Sequence, residues 1–342
     1  ITQLVQHFSV SAVLCTATQP ALNGLIQQFA PGLKIRELCS DPLSLYRSFR
    51  RVTFRMEPAP LSYLELAGRL MEQPQVLCIL NTRKAVQQVY QQLSGEGNYC
   101  LTTYLYPARR QALIQEIRKR LKDGLPCRVV STSLIEAGVD VDFPTLYRQL
   151  AGLDSILQAA GRCNREGIHS PEESIVTVFQ LQDAPSEEMI EKNIEAFQYA
   201  IHAHPELEHP DTIQIYFYQL YYRKGEFDRE NIIKMARSKD LPFREIENKF
   251  HLIDETSKTV YIPLEEGAEL VERLRGGEVS RSLFRQLGRY GVPVPAYQFQ
   301  ALYQAGDIEL VTPQAGILLN LSLYDPESGF SPKAEEGKGL FT

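Results

Sequence analysis

Residues 127–167 read CRVVSTSLIEAGVDVDFPTLYRQLAGLDSILQAAGRCNREG, and their order of residue types decides the fold. An apolar, β-prone run (127–131) passes into a hydroxyl-rich loop of Ser131, Thr132 and Ser133, then into a short helix from Leu134 and a glycine turn at Gly138. A second apolar run (146–150) leads into a helical stretch (155–161), and a third follows at 175–180. Working outward, the alternation continues upstream. A strand around 52–56, a helix at 61–71, a strand at 76–80, a helix at 84–93, a strand at 101–106 and a helix at 108–122 lead into the quoted stretch. Strands separated by helices imply a parallel sheet with helices on both faces and working loops at the carboxyl ends of the strands.

Before residue 52 the signals differ. The run 10–16 (VSAVLCT) reads as a strand ending in the turn Ala17 to Pro20, followed by a helix at 21–29. Residues 41–60, with prolines and the basic group Arg47, Arg50 and Arg51, read as a connector. Beyond about Asp183 the pattern turns to helices and scattered short strands rich in Tyr and Phe. The expected organisation is therefore 1–48 as the end of one lobe plus connector, 49–182 as an α/β lobe, and 183–342 as a mixed, mainly helical accessory domain. At 342 residues, 44% of them apolar and 23% charged, the chain is long enough for two cores and has no disorder-like composition. The tail from Ser328, rich in Gly, Glu and Lys, reads as mobile.

A net charge of -6 and a pI near 5.7 exclude a uniformly basic nucleic-acid coat while permitting a local basic groove. The six cysteines stand singly, without a CxxC pair, and read as reduced, mostly core residues of a cytoplasmic protein. No apolar run reaches the roughly 20 residues that span a bilayer. His202, His204 and His209 sit close together across a proline, a spacing read as no metal site. Ile1 at the first position, in place of Met, reads as the start of a processed, split or engineered fragment.

The chemistry concentrates in Gln158-Ala159-Ala160-Gly161-Arg162-Cys163-Asn164-Arg165. Arginines three apart on one helix face make a fork able to meet the charge of a transferring phosphoryl group, and Gln158 lies one turn before them. Alternatively the arginines are surface residues paired with carboxylates such as Glu166. Hydroxyls and free amides at a helix start, as around Thr132 and Ser133, suit a phosphate; they equally suit a helix cap, and Asp140 or Asp142 equally caps a turn. The order of these pieces, a Thr-Ser loop and a GxD turn followed after the next strand by the arginine pair, resembles the second RecA-like lobe of superfamily 2 helicases. Ser11 to Thr18 (SAVLCTAT) resembles the Thr-Ala-Thr element that ends such a motor's first lobe. Leu77 to Arg83 (LCILNTR) resembles the strand-to-Asn-Thr loop that opens the second.

Two longer strings are more specific. SLIEAGVDVDFPTLYRQLAGLDSILQAAGRCNREG (133–167) and LLNLSLYDPESGF (318–330) resemble the CRISPR-associated helicase-nuclease of type I interference systems. That resemblance implies ATP-facing roles for Gln158, Arg162 and Arg165, and positions near the nucleotide for Gly138, Asp140 and Gly161. It sets Thr16, Thr18, Thr82, Arg83, Thr132 and Ser133 nearer DNA or the lobe interface. It implies ATP with magnesium as cofactor, and as partners single-stranded DNA, the RNA-guided surveillance complex, an amino-terminal nuclease and the first helicase lobe; 3'-to-5' polarity comes from the resemblance alone. The sequence contains no GxxxxGK[ST] loop, no DExH segment before residue 16 and no His-Asp dipeptide. Asp254, Glu255 and Thr256 imitate the DExH segment only on paper and read as a turn. ATP and magnesium are accordingly expected to be held mainly by the other lobe, and this chain alone is expected to be inactive as an ATPase. An RNA-directed or restriction-type translocase lobe, or a non-catalytic docking module, remain the alternatives. The aromatic run IYFYQLYYR (215–223) reads as helix core or as a base-stacking surface, and Arg109, Arg110, Arg118, Lys119 and Arg120 as a solvated face or one wall of a DNA channel.

Overall fold

A computed structural model describes residues 1–16, 18–136, 138–184, 188–224, 228, 230–250 and 257–331. The turn read at Asp254 to Thr256 lies outside the described residues, as does the tail beyond 331; of the tail read as mobile from Ser328, the described start is instead paired in a strand ribbon, with Phe330 buried. The central feature is a six-stranded parallel sheet in the order β1-β6-β5-β2-β4-β3. Its strands are β1 (Thr53–Met56), β2 (Gln75–Ile79), β3 (Asn98–Leu101), β4 (Cys127–Ser131), β5 (Leu146–Gln149) and β6 (Ile175–Phe179). The α/β fold class expected from the alternation is the one observed. Strands β2, β4 and β6 are almost wholly buried, as near-continuous apolar runs between two helical layers should be.

By contact density the chain divides into two compact units, 1–81 with 135–225 and 82–134 with 226–342. The first holds helices α1 (Thr2–His7), α2 (Asn23–Phe29), α3 (Pro42–Ser48), α4 (Tyr63–Met71), α7 (Leu153–Ala160), α8 (Glu188–Ala203) and α9 (Pro210–Lys224). Helix α4 starts sharply because Ser62 and Glu65 form a reciprocal capping box, with Ser62 Oγ accepting from the Glu65 amide at 3.2 Å and Glu65 accepting from the Ser62 amide at 2.8 Å. Leu153, Ile156, Phe197, Ala200, Ile213, Tyr216 and Val178 close one core around α7, α8 and α9. Of the aromatic run on α9, Tyr216 is buried within that core while Tyr218 stands exposed.

The second unit holds α5 (Arg83–Tyr90), α6 (Pro107–Lys122), α10 (Ile232–Ala236), α11 (Phe243–Lys249), α12 (Glu266–Arg275), α13 (Arg281–Leu287) and α14 (Ala296–Gln304). A mixed sheet, in the order β8-β7-β10-β9, is built from β7 (Ser257–Tyr261), β8 (Gly291–Pro295), β9 (Ile308–Thr312) and β10 (Ala315–Leu318). The string at 318–330 ends in a small ribbon of β11 (Tyr324–Asp325) and β12 (Gly329–Phe330). The Phe330 amide donates to the Tyr104 carbonyl at 2.9 Å, Gln87 donates to the Ser328 carbonyl at 3.1 Å, and Arg109 donates to the Pro326 carbonyl at 3.0 Å. Gly329 has φ +84°, and a Cβ there would stand 2.6 Å from the Tyr104 carbonyl carbon, so both conformation and space demand glycine.

Two strand expectations are corrected. Residues 10–16 join no sheet among the described residues; Val13 and Leu14 are exposed, since a β-prone run becomes a strand only where a neighbour offers its backbone. The strand expected at 101–106 ends at Leu101 and begins earlier, at Asn98. Thr102 stops it by taking the Tyr104 amide on its hydroxyl at 3.1 Å and the Leu105 amide on its carbonyl at 3.2 Å, a turn that leads directly into Pro107 and α6. Of the six cysteines, Cys78, Cys100, Cys127 and Cys163 are buried, Cys39 half-buried and Cys15 exposed, all as free thiols. No helix among the described residues is long and apolar enough to cross a membrane.

Candidate functional site

In the first unit, three loop ends at the carboxyl edge of the sheet are tied together by one buried side chain. Arg148 stands on β5 with only 3% of its side chain exposed. Its guanidinium donates to Asn81 Oδ1 at 2.7 Å, to the Gln149 carbonyl at 2.8 Å and to Ser155 Oγ at 2.9 Å, and its Nε lies 3.4 Å from Glu136 Oε1. That last contact is an ion pair too poorly aligned to be a hydrogen bond. Asn81 is fixed from the other side: its amide donates to Gln149 Oε1 and its Nδ2 to the Leu150 carbonyl, both at 2.9 Å. Arg148 therefore joins the loop after β2, the segment after β4 and the first turn of α7. Burial pushes the Glu136 carboxyl above its ordinary range, opposed by Arg148 and the Ser155 hydroxyl, and pulls the Arg148 guanidinium below its own, opposed by Glu136.

The arginine fork expected from the sequence divides in two. Arg162 folds back onto the segment after β4, its Nε donating to the Ile135 carbonyl at 3.1 Å and another guanidinium nitrogen to the Glu136 carbonyl. Partial burial and then the nearby Arg165 charge lower its pKa. Arg165 instead reaches out, pairing at 2.9 Å with Asp140; 38% of its side chain and 70% of the aspartate's are exposed. The loop carrying Arg165 is fixed by backbone contacts. Asp142 accepts the Arg165 amide at 2.7 Å and the Glu166 amide at 3.1 Å, and buried Asn164, at φ +47°, donates to the Arg51 and His169 carbonyls at 2.7 Å each. Arg51 in turn donates to the Arg165 carbonyl.

The structure thus brings Asp140, Arg162 and Arg165 together. Gly161 closes α7 at its carboxyl end, and Gln158 stands exposed one turn before Arg162. Gly138 is exposed at φ +72°, with open space where a Cβ would be. Arg165, Gly161, Cys163, Arg51, Phe49 and Glu208 help to line a cleft of roughly 270 Å³. Thr16 donates to the Thr18 carbonyl at 3.4 Å, and Thr18 is buried.

The remaining candidates lie in the second unit. Thr82 caps α5 by accepting the Ala85 amide at 3.2 Å. Arg83 is held by the Pro293 carbonyl at 3.2 Å and Thr103 at 3.4 Å, with its guanidinium 4.2 Å from the centre of the Tyr104 ring. Ser131 directs its hydroxyl at the Leu101 and Thr132 carbonyls, 2.8 and 2.9 Å away, while Thr132 is half-buried and Ser133 exposed. Sequence reading missed Glu136, Arg148 and Ser155. The available signal was Arg148 itself, a charge inside the otherwise apolar run LYRQL.

A parallel sheet between helical layers, with its loops gathered at the carboxyl edge, is a RecA-like α/β fold. Residues 72–168 match the family described as CRISPR-associated nuclease/helicase Cas3, C-terminal. Over 82 residues the chain is 42% identical to the CRISPR-associated nuclease/helicase Cas3 of Haloferax volcanii, covering 24% of this chain and 9% of that protein. Over 91 residues it is 31% identical to the Cas3 of Methanothermobacter thermautotrophicus, covering 26% and 11%. Among solved structures, T. fusca Cas3-AMPPNP superimposes with a TM-score of 0.52 at 14% identity, over 86% of this chain and 41% of that one. T. fusca Cas3 gives 0.52 at 15% identity, over 78% and 39%. Residues 72–168 are thus similar to the carboxy-terminal part of Cas3, and the chain spans under half the length of the relatives it matches.

Proposed function

We propose that this chain supplies the second RecA-like lobe and the following accessory domain of an ATP-driven single-stranded-DNA translocase in type I CRISPR interference. In this reading 1–48 is the end of the first lobe with its connector, 49–182 the second lobe and 183–342 the accessory domain. The carrying observation is the contrast at the arginine fork: Arg165 is half-exposed and its guanidinium pairs with an exposed Asp140, so exchanging that carboxylate for a phosphate costs little. The donor set suits a polyphosphate: two guanidinium groups beside an open glycine turn at Gly138, with the Asp140 carboxylate already paired to one of them. ATP with magnesium, held mainly by the other lobe, would supply the phosphoryl group whose transfer releases the driving energy. Arg165 would orient the terminal phosphate and stabilise its charge, while Arg162 would keep the loop after β4 at the right height and Gln158 would border the same space. Thr16, Thr18, Thr82, Arg83, Thr132 and Ser133 would carry contacts to DNA or between lobes. Partners would be the surveillance complex, the amino-terminal nuclease and the first lobe.

The test is ATPase activity, with and without single-stranded DNA, of this chain alone and mixed with a separately made amino-terminal half. Activity confined to the DNA-containing mixture, and lost in Arg165→Ala, is the expected result. DNA-stimulated activity untouched by Arg165→Ala removes the proposed role, and stimulation by RNA in preference to DNA moves the protein to the RNA-directed class.

A further inference from the structure

Outside the arginine site, the connection between α8 and α9 gathers His204, His209 and Asp211, whose ligand atoms all lie within 4.8 Å of one another. We propose that these three side chains bind one divalent cation of the zinc class. The inference is independent of the helicase reading. The sequence set His202 beside His204 and His209 and found no metal pattern; folding leaves His202 out of the cluster and brings in Asp211.

Each ligand has a reason to be where it is. His204 ends α8, its amide donating to the Ala200 carbonyl at 2.9 Å, and His209 opens α9, its carbonyl accepting the Ile213 amide at 3.2 Å. Leu207, between them, is buried in the α7, α8 and α9 core, so the loop is anchored. The two imidazole rings lie 4.2 Å apart, tilted by 30°. Thr212, fully buried, fixes the chemistry of the first ring. Its hydroxyl proton goes to the Glu206 carbonyl at 2.6 Å, so at 2.8 Å from His204 Nδ1 it accepts, which assigns the proton to Nδ1 and leaves the lone pair of Nε2 available. A histidine whose second nitrogen donates to a fixed acceptor is how proteins orient a metal-binding imidazole. His209 Nδ1 accepts the Asp211 amide at 3.2 Å, a long bond that the ion would replace, and lies 3.6 Å from Asp211 Oδ2, with 15% of the histidine and 68% of the aspartate side chain exposed.

Ligand atoms on a tetrahedral zinc ion at about 2.0–2.2 Å stand roughly 3.3 Å apart. The Asp211 side chain, 68% exposed, can rotate toward the two rings and shorten the present spacing. Two nitrogens and one carboxylate favour zinc over magnesium or calcium, which prefer oxygen sets, and solvent water would complete the shell. The ion would cross-link the ends of a helical hairpin that packs on α7, to which Tyr216 already ties α9 through a 2.6 Å bond to Asp154.

Titration of the full chain with zinc ions, followed calorimetrically and by the imidazole nitrogen signals of its histidines, tests this. One equivalent is expected to bind, moving the ring signals of His204 and His209 but not His202, with no such binding of magnesium. Binding should be lost in His204→Gln and Asp211→Asn, and weakened about 10- to 100-fold in Thr212→Val, which keeps every ligand and removes only the orienting hydroxyl. Circular dichroism checks that each variant is folded. Unmoved ring signals in the wild type, or zinc bound as tightly by all three variants, overturns the site; the second outcome would send the ion to other residues, such as the exposed Cys15.

Discussion

Arg148 and Arg165 are each paired with a carboxylate on the same connection after β4, yet they lie in opposite environments. Arg148 faces Glu136 with 3% and 6% of the two side chains exposed, and the acceptors of its hydrogen bonds are spread over three separate segments. Arg165 faces Asp140 with 38% and 70% exposed, and the pair has water as a competitor throughout. A charge withdrawn from water is tolerable only when every partner stays in place, so the first pair holds a shape. An exposed pair is nearly neutral in free energy and can exchange one partner for another. One arginine thus holds the loops in place, and the other is the one that the proposed function asks to act.

The largest expected effect separates these roles by activity. Arg165→Ala should reduce the DNA-stimulated ATPase of the reassembled motor by about 10³-fold or more, while its melting temperature stays within a few degrees of wild type. Loss of stability in proportion to activity would merge the two arginines into one structural class. Next comes Arg148→Ala, which leaves the Glu136 carboxylate buried without its partner and should cost about 3–5 kcal/mol in chemical denaturation. A cost under about 1 kcal/mol would mean that water reaches the network and the burial argument fails.

A pH series sharpens the same contrast. Burial raises the Glu136 pKa, so the folded state holds its proton over a window where the unfolded chain, with an ordinary value of about 4.3, has released it. The stability linked to that proton is complete below about pH 4.3 and is lost as the pH rises through the raised folded value. Wild type should therefore lose ground to Glu136→Gln across that window; a constant difference between the two would show the carboxyl to be unshifted. The smallest effect is expected at the exposed partner: Asp140→Ala should change stability by no more than about 0.5 kcal/mol.

Much of the architecture follows from local sequence. The alternation of apolar runs and helical stretches in 52–180 specifies a parallel sheet because each run is buried on both faces, and Ser62 with Glu65 marks a helix start by its own hydrogen bonds. The proposed nucleotide-facing residues are legible for a similar reason: Gln158, Gly161, Arg162 and Arg165 follow one another closely along the chain, at the end of α7 and just beyond it, so their grouping needs no knowledge of distant contacts. Even there the sequence shows two equivalent arginines, and only the fold makes them different, by giving Arg162 the carbonyls of Ile135 and Glu136 and leaving Arg165 to solvent.

What the sequence by itself determined, then, is the sheet, its helices and the clustering of the arginine motif, because these rest on interactions between residues a few positions apart. Tertiary structure alone decided that 10–16 finds no strand partner among the described residues, that Arg148 joins Asn81, Glu136 and Ser155, and that Asp211 replaces His202 beside the two histidines. Each of these depends on where the backbone carries groups that the residue pattern leaves unpaired. A strand needs a neighbour, a buried charge needs its counter-charge, and a metal-type cluster needs convergence in space, none of which spacing along the chain can supply.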